Sequence, residues 1–139
     1  MPRLPLAARL LGRILHGLIG GLMLFAGLGK LGGKMPPEVL EGLAKSGLGG
    51  KLTLIGTGEI IAALLLLIPR TMPLGALAVS GFWGGVICNH MSHGEPNAPW
   101  IVALALTWVG AFLRDPRMFS SALGGQPAST ASARAQAAI

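Results

Sequence analysis

Charged residues are scarce in this sequence, and their scarcity argues against an ordinary soluble domain. Only 12% of the 139 residues are charged and only five are acidic, whereas 52% are hydrophobic. Soluble domains devote about a quarter of their residues to charge. A soluble protein of this size would therefore have too little polar surface, although its length suits a single domain.

The sequence also has one cysteine and no tyrosine. The single Cys88 rules out an intramolecular disulfide and any cysteine-based zinc site. No basic stretch is interleaved with aromatic residues, so the net charge of +6 does not indicate binding to nucleic acid. The basic residues instead stand one or two at a time between long apolar runs, which is typical of membrane proteins that contact anionic lipid headgroups.

Four apolar runs, at about 14–31, 52–68, 74–90 and 99–113, dominate the chain. Each is slightly shorter than the ~20 residues that cross a bilayer, but flanking Lys and Arg side chains can extend the span. All ten prolines fall at the edges of these runs or outside them, and the runs lack the alternation of a membrane barrel. The sequence therefore predicts an all-α integral membrane four-helix bundle, with a half-buried or re-entrant fourth segment as the alternative.

The segments outside the runs complete the predicted organisation. Residues 36–46 begin with two prolines and place apolar side chains on one face, so we expect a short amphipathic helix between the first and second spans, on the outer membrane surface. Residues 1–118 form the predicted transmembrane domain. The low-complexity segment 119–139 is predicted to be a disordered tail.

Arginines and lysines lie on opposite sides of the membrane in the predicted four-span arrangement. With four spans, one side holds Arg3, Arg9, Arg13, Arg70, Arg114, Arg117 and Arg134. The other holds Lys30, Lys34, Lys45 and Lys51, partly offset by acidic residues. The positive-inside rule then predicts a multi-pass protein of the bacterial cytoplasmic (inner) membrane with both termini in the cytoplasm. A cleaved signal peptide is the alternative for the first thirty residues, but no clear cleavage site precedes Lys30.

Glu59 is the most informative polar residue, because it lies within the apolar run of the second span. About seven residues from the outer end it is on the order of 10 Å deep, where an unpaired carboxylate costs several kcal/mol. We expect it to face the bundle interior, either handling protons or contacting a ligand, or simply joining two helices. Lys30 ends the first span on the same side, and can pair with Glu59 or extend outward to the headgroups.

His90, at the end of the third span, is a candidate beside Glu59 and Lys30, and weaker candidates lie around it and elsewhere. His90, Asn89 and His93, with Glu95, supply metal-competent groups, but a turn with Gly94 does not fix a ligand geometry, so no metal site is predicted. His90 is the best of these, because it lies where the bundle meets water on the side of Glu59. The lone Cys88 suggests packing more than redox chemistry, and His16 an interhelical hydrogen bond more than a proton relay.

Glycine spacing indicates close helix contacts. Gly17 and Gly21, and Gly81 and Gly85, are four residues apart, which lets helix backbones approach each other in lipid and offers a surface for homo-oligomerisation. Trp100 suggests an interfacial anchor, whereas Trp83 and Trp108 suggest packing in the bundle or contact with lipid. No phosphate loop, nucleophile elbow or zinc-protease helix is present.

Several segments together resemble the DoxX and DoxX-like family of small bacterial membrane proteins. They are GLMLFAGLGKL, GTGEIIAALLLLIPRT, GGVICNHMSHGEP and WVGAFLRDPR, within about residues 10–118. The resemblance implies a four-helix bundle, and it places Lys30, Glu59 and His90 at the family's recurring polar positions. The family takes its name from a membrane subunit of thiosulfate-oxidising, quinone-reducing machinery, which implies an accessory role in a membrane redox or thiol system.

Three functions therefore stay open. The first is a non-catalytic accessory subunit whose outer pocket, lined by Glu59, Lys30 and His90, contacts a quinone or a small polar ligand. The second is a proton-coupled carrier that uses Glu59, and the third is a scaffold that recruits soluble redox proteins through its cytoplasmic arginines. The sequence contains no complete haem, iron–sulfur or flavin motif and leaves open whether the protein has catalytic activity.

Overall fold

The structure, a computed structural model, describes residues 4–122, with side chains up to residue 119, and this part of the chain contains helices and no strand. The helices are α1 (Leu6–Leu31), α2 (Pro37–Lys45), α3 (Leu52–Leu67), α4 (Met72–Ser92), α5 (Ala98–Arg114) and α6 (Arg117–Ala122), with a 3₁₀ turn at Gly49–Lys51. The four predicted apolar runs correspond to α1, α3, α4 and α5, and the predicted short helix corresponds to α2.

The long helices differ in whether they are long enough to cross a membrane. By length and composition, α1, α3 with its preceding turn, and α4 are candidate spans. Helix α5 is apolar but has only 17 residues, so at 1.5 Å per residue it extends about 25 Å, against a hydrocarbon core of ~30 Å. The crossing of the fourth segment therefore stays a prediction.

The four long helices form a closed arrangement. Helix α1 packs against α3 and α5, and α4 packs against the same two helices. Each contributes fully or almost fully buried side chains to the centre, among them Met23 from α1, Leu66 from α3, Val79 from α4 and Ala111 from α5. This confirms an all-α bundle of apolar helices.

The outward faces of the same helices are apolar as well. Leu18 and Phe25 of α1, Leu54 of α3, Leu74 of α4 and Val102 of α5 are all exposed. Apolar patches of this extent are rare on soluble monomers, whereas a bilayer covers them without cost. The chain is a membrane protein, and the buried polar side chains of its long helices, His16, Glu59 and Thr107, face the bundle interior.

Glycine ends three of the helices in the same way. Gly33, Gly47 and Gly94 have φ between 64° and 69°, which a residue without a Cβ adopts easily. In each case the next residue donates its backbone N–H to a carbonyl in the last helical turn, as Glu95 does to His90 O at 2.9 Å. This Schellman arrangement satisfies helix carbonyls and sends the chain sharply away from the helix.

Helix α2 lies outside the bundle core, and none of its residues is buried. Glu41 and Lys45, one turn apart, form an exposed ion pair of 2.8 Å. The hydrogen bond from Lys45 lowers the pKa of Glu41 and raises that of Lys45. The placement of α2 on the membrane surface stays a prediction.

The predicted disordered tail falls mainly on residues 123–139, which lie outside the described residues. Residues 119–122 are helical and belong to α6. The start of the predicted domain, residues 1–3, also lies outside the described residues.

The glycine prediction was wrong for contacts within the chain. A Cβ on Gly17, Gly21, Gly81 or Gly85 would meet no other atom within 4 Å. Different glycines make the close approaches, and the tightest is Gly75 of α4, whose added Cβ would collide with the backbone of Leu66 in α3. Spacing by four residues marks one face of a helix but does not say which face packs.

We predict that Gly75→Ala destabilises the bundle and that Gly81→Ala on the same helix does not. The new methyl group at position 75 must push α4 away from the α3 backbone, which costs about 1–3 kcal/mol for an overpacked contact. Thermal unfolding of both variants in detergent, followed by circular dichroism, measures the difference. Equal melting temperatures for the two variants would contradict the α3–α4 contact.

Candidate functional site

Lys30 and Glu59 form a buried ion pair between α1 and α3. The Lys30 ammonium donates to both carboxylate oxygens, at 2.9 Å to Oε1 and 2.8 Å to Oε2. The two side chains are only 8% and 4% exposed. Lys30 thus bends inward to Glu59 and does not extend to the headgroups.

Helices α1 and α3 approach closely at two glycines next to this ion pair. A Cβ on Gly27 of α1 would lie 2.8 Å from the carbonyl oxygen of Gly56 in α3, and a Cβ on Gly56 would lie 2.9 Å from that of Gly27. Each glycine precedes its charged partner by three residues, so it lies on the same helix face. The backbones of α1 and α3 therefore touch one helical turn before Lys30 and Glu59, and both charged groups lie inside the bundle.

This geometry gives the pair the properties of a clamp. Both oxygens of Glu59 already accept a hydrogen bond from Lys30, so the carboxylate has no oxygen without a partner. Separating two charges in a buried apolar site is costly. Lys30 holds one acceptor site on each oxygen of Glu59, and a ligand that took both oxygens would have to displace it.

His90 lies in a different group, between α4 and α5. Its ring is 5.4 Å from that of Trp100, which stacks on Trp83 at 5.6 Å with an interplanar angle of 16°. Phe82 meets Trp83 edge-on at 5.3 Å. We call Phe82, Trp83, His90 and Trp100 the aromatic cluster. Sequence reasoning treated Trp83 and Trp100 separately, although the seven-residue spacing from Trp83 to His90 places both on one face of α4.

Among the described residues, two polar atoms of the aromatic cluster have no hydrogen-bond partner. Trp83 is 4% exposed, and its buried indole Nε1 has no acceptor. Nδ1 of His90 lies 2.8 Å from Oε2 of Glu95 without forming a hydrogen bond, and the contact is an ion pair only when the imidazole is protonated. We interpret the second contact as electrostatic. A buried donor without an acceptor costs about 1–3 kcal/mol, so Trp83 is the more unusual of the two.

The predicted site residues therefore fall into two groups. Among the described residues no hydrogen bond or ion pair joins His90 to Lys30 or Glu59. His93 bonds through Nδ1 to the carbonyl of Asn89 at 2.7 Å, and Cys88 is exposed. Residues 4–122 contain no group of three His, Cys, Asp or Glu side chains arranged to hold a metal ion.

His16 is fully buried at the opposite end of the bundle, where it links α1 to α5. Its Nε2 lies 2.9 Å from the carbonyl oxygen of Thr107, and its Nδ1 lies 2.7 Å from the guanidinium of Arg114. A carbonyl only accepts and a guanidinium only donates. The pattern therefore requires a neutral imidazole that carries its proton on Nε2. Gly110 makes room for the ring, because a Cβ there would lie 2.5 Å from it.

Arg114 is the residue that sequence reasoning misplaced, because it was treated only as a flanking cytoplasmic arginine. Its guanidinium also donates to the carbonyl of Leu66 at 2.8 Å and, more weakly, to that of Leu67 at 3.5 Å. These carbonyls end α3 and have no partner within the helix. A cation at the C-terminus of a helix also complements its dipole. Arg114 thus joins α5 to α1 and to α3.

The sequence matches the profile of one known protein family. The sequence profile of the DoxX-like family matches residues 14–113. The chain belongs to the DoxX-like family. The match runs from α1 to the end of α5 and includes His16, Lys30, Glu59 and His90. Comparisons with curated proteins and with solved structures find no significant match.

We predict that Lys30→Met strongly destabilises this DoxX-like protein, because it leaves the Glu59 carboxylate buried without a partner, at a cost of about 3–5 kcal/mol. Adding Glu59→Met should restore most of the lost stability, since the buried charge is then gone. Thermal unfolding in detergent measures both steps. Glu41→Gln, which breaks the exposed ion pair, is the control and should cause no measurable change; an equally mild effect of Lys30→Met would contradict the clamp.

We predict that Arg114→Lys lowers stability although it keeps the charge. One ammonium group cannot reproduce the fork of donors that reaches His16 and the end of α3, so about 1–3 kcal/mol should be lost. Arg13→Lys, at an exposed position of α1, is the matched control and should unfold like the unmodified protein. If the two variants have the same melting temperature, Arg114 does not cap α3.

Proposed function

We propose that this DoxX-like protein is a non-catalytic accessory subunit of a membrane redox system and that its aromatic cluster binds a quinone-like ligand. The observation that carries the proposal is the buried Trp83 N–H without an acceptor, held against a stack of rings. A polar donor in an apolar site is costly unless something accepts its hydrogen bond. A ligand with a carbonyl group would supply that acceptor.

The chemistry of a quinone suits these groups. Its ring is flat and apolar and can stack on Trp83 or Trp100, while its carbonyl oxygens only accept hydrogen bonds. His90, at the edge of the cluster beside Glu95, offers a second polar group for the other carbonyl. Quinones dissolve in the bilayer, so the ligand can enter between α4 and α5 from the lipid. The machinery from which the family takes its name adds support.

Lys30 and Glu59 take a supporting role in this proposal. Because Lys30 occupies both oxygens of the carboxylate, the pair favours a fixed α1–α3 unit over a proton-coupled carrier, which would need an accessible acid. The pair then holds one half of the bundle rigid beside the ligand site. The distribution of basic residues supports placement in the bacterial inner membrane with both termini in the cytoplasm.

We predict that a water-soluble short-chain ubiquinone raises the melting temperature of the protein in detergent and that Trp83→Phe abolishes the shift. Phenylalanine keeps an aromatic ring but removes the N–H that would bind the carbonyl. Without ligand, the variant should lose little stability, since an unpaired buried donor disappears with the indole.

The matched control is Trp108→Phe, which removes the same atoms from a tryptophan that packs on Phe119, away from the aromatic cluster. It should retain the quinone-induced shift. No shift in the unmodified protein, or an equal shift in Trp83→Phe, would contradict the proposal.

A further inference from the structure

A cavity of about 530 Å³ opens at the end of the bundle that carries His16 and Arg114. Its basic lining residues come from three regions that are far apart in sequence: Arg9 and Arg13 of α1, Arg70 of the α3–α4 turn, and Arg114 and Arg117 where α5 gives way to α6. Asp115 is the only acidic residue in this lining. Small-molecule sites have volumes of about 300–1,000 Å³, so the cavity is large enough for a ligand.

One of these positive charges is fixed in place. Arg114 is held by His16 and by the end of α3, at 2.7 Å and 2.8 Å, so its guanidinium cannot swing away toward water. Arg13 lies close enough for its charge to repel that of Arg114. Asp115, whose Oδ1 accepts the backbone N–H of Arg117, supplies one negative charge against the five arginines of the lining. The cavity therefore concentrates positive charge that an anion would neutralise.

The positive-inside rule alone does not account for this arrangement. That rule requires basic residues near the ends of spans but does not require them to converge. Here they surround one concavity, whose remaining lining is largely apolar and includes Leu4, Met72 and Pro73. The start of α4, at Met72, adds the positive end of a helix dipole. The site thus combines cationic and apolar contacts.

We propose that this cavity binds a phosphate group. Guanidinium groups match phosphate oxygens in charge and in geometry, often through two parallel hydrogen bonds. The phosphate can belong to the headgroup of an anionic phospholipid, with its chains along the apolar lining, or to a soluble anion that enters from the water. This site lies at the opposite end from the aromatic cluster and does not depend on the proposed quinone.

The test compares the full-length protein with Arg13→Gln/Arg70→Gln, which removes two exposed cavity charges and leaves Arg114 in place. Lys34→Gln/Lys51→Gln removes two exposed charges at the other end and is the matched control. The melting temperature is measured, and retained ligand is detected by native mass spectrometry, under two conditions. One arm uses phosphatidylcholine nanodiscs with added inorganic pyrophosphate, and the other uses nanodiscs that also contain phosphatidylglycerol.

We expect a higher melting temperature and retained ligand in at least one arm. The arm that responds shows whether the phosphate belongs to a lipid headgroup or to a soluble anion. Affinity should fall about tenfold for each arginine removed, as for a charge-assisted hydrogen bond, and it should remain unchanged in the lysine control. No binding in either arm overturns the proposal. Equal losses in the arginine and lysine variants also overturn it, since they would indicate general electrostatic attraction. If the double variant does not fold, Arg70→Gln alone serves for the same comparison.

Discussion

A lipid bilayer offers no water to a polar group that faces outward, and this constraint organises the whole bundle. The ionisable side chains that are buried within the long helices find partners inside the protein, whereas the indole N–H of Trp83 has none among the described residues. Glu59 is paired with Lys30, and His16 with Thr107 and Arg114. The smaller hydroxyl groups of Ser80 and Thr107 bond back to carbonyls one turn earlier in their own helices. The outer faces are left to leucine, valine and phenylalanine.

The polar contacts do not join all four long helices equally. Lys30 and Glu59 fix α1 to α3 at one end, whereas His16 and Arg114 fix α1, α3 and α5 to one another at the other end. Helix α4 joins this frame mainly through apolar and aromatic contacts, such as Gly75 against Leu66 and Trp83 against Trp100. The helix with the fewest directional ties is therefore the one that carries the aromatic cluster. A ligand could separate α4 from α5 there without breaking a buried ion pair.

The sequence was sufficient to predict the helices, because hydrophobic runs and proline positions are local signals. It also identified Glu59, since a carboxylate among leucines needs an explanation in lipid. It could not choose between the two orientations of Lys30, because both are open to a long side chain at a helix end. The role of Arg114 depends on where α3 ends in space, and no pattern near residue 114 reports that. The prediction of which glycines pack against another helix was wrong for a similar reason, because the partner helix lies far away in sequence.

The structure requires lipid, not water, around the outward faces of these helices. Spin labels test it directly when attached to single cysteines at Leu18, Phe25 and the buried Met23 in a Cys88→Ser background, in nanodiscs. Labels at 18 and 25 should be relaxed strongly by oxygen, which dissolves in lipid, and weakly by a water-soluble nickel chelate, while the label at 23 should be shielded from both. Strong relaxation by the nickel chelate at 18 and 25 would show water on these faces, and the placement of the bundle in lipid would then be wrong.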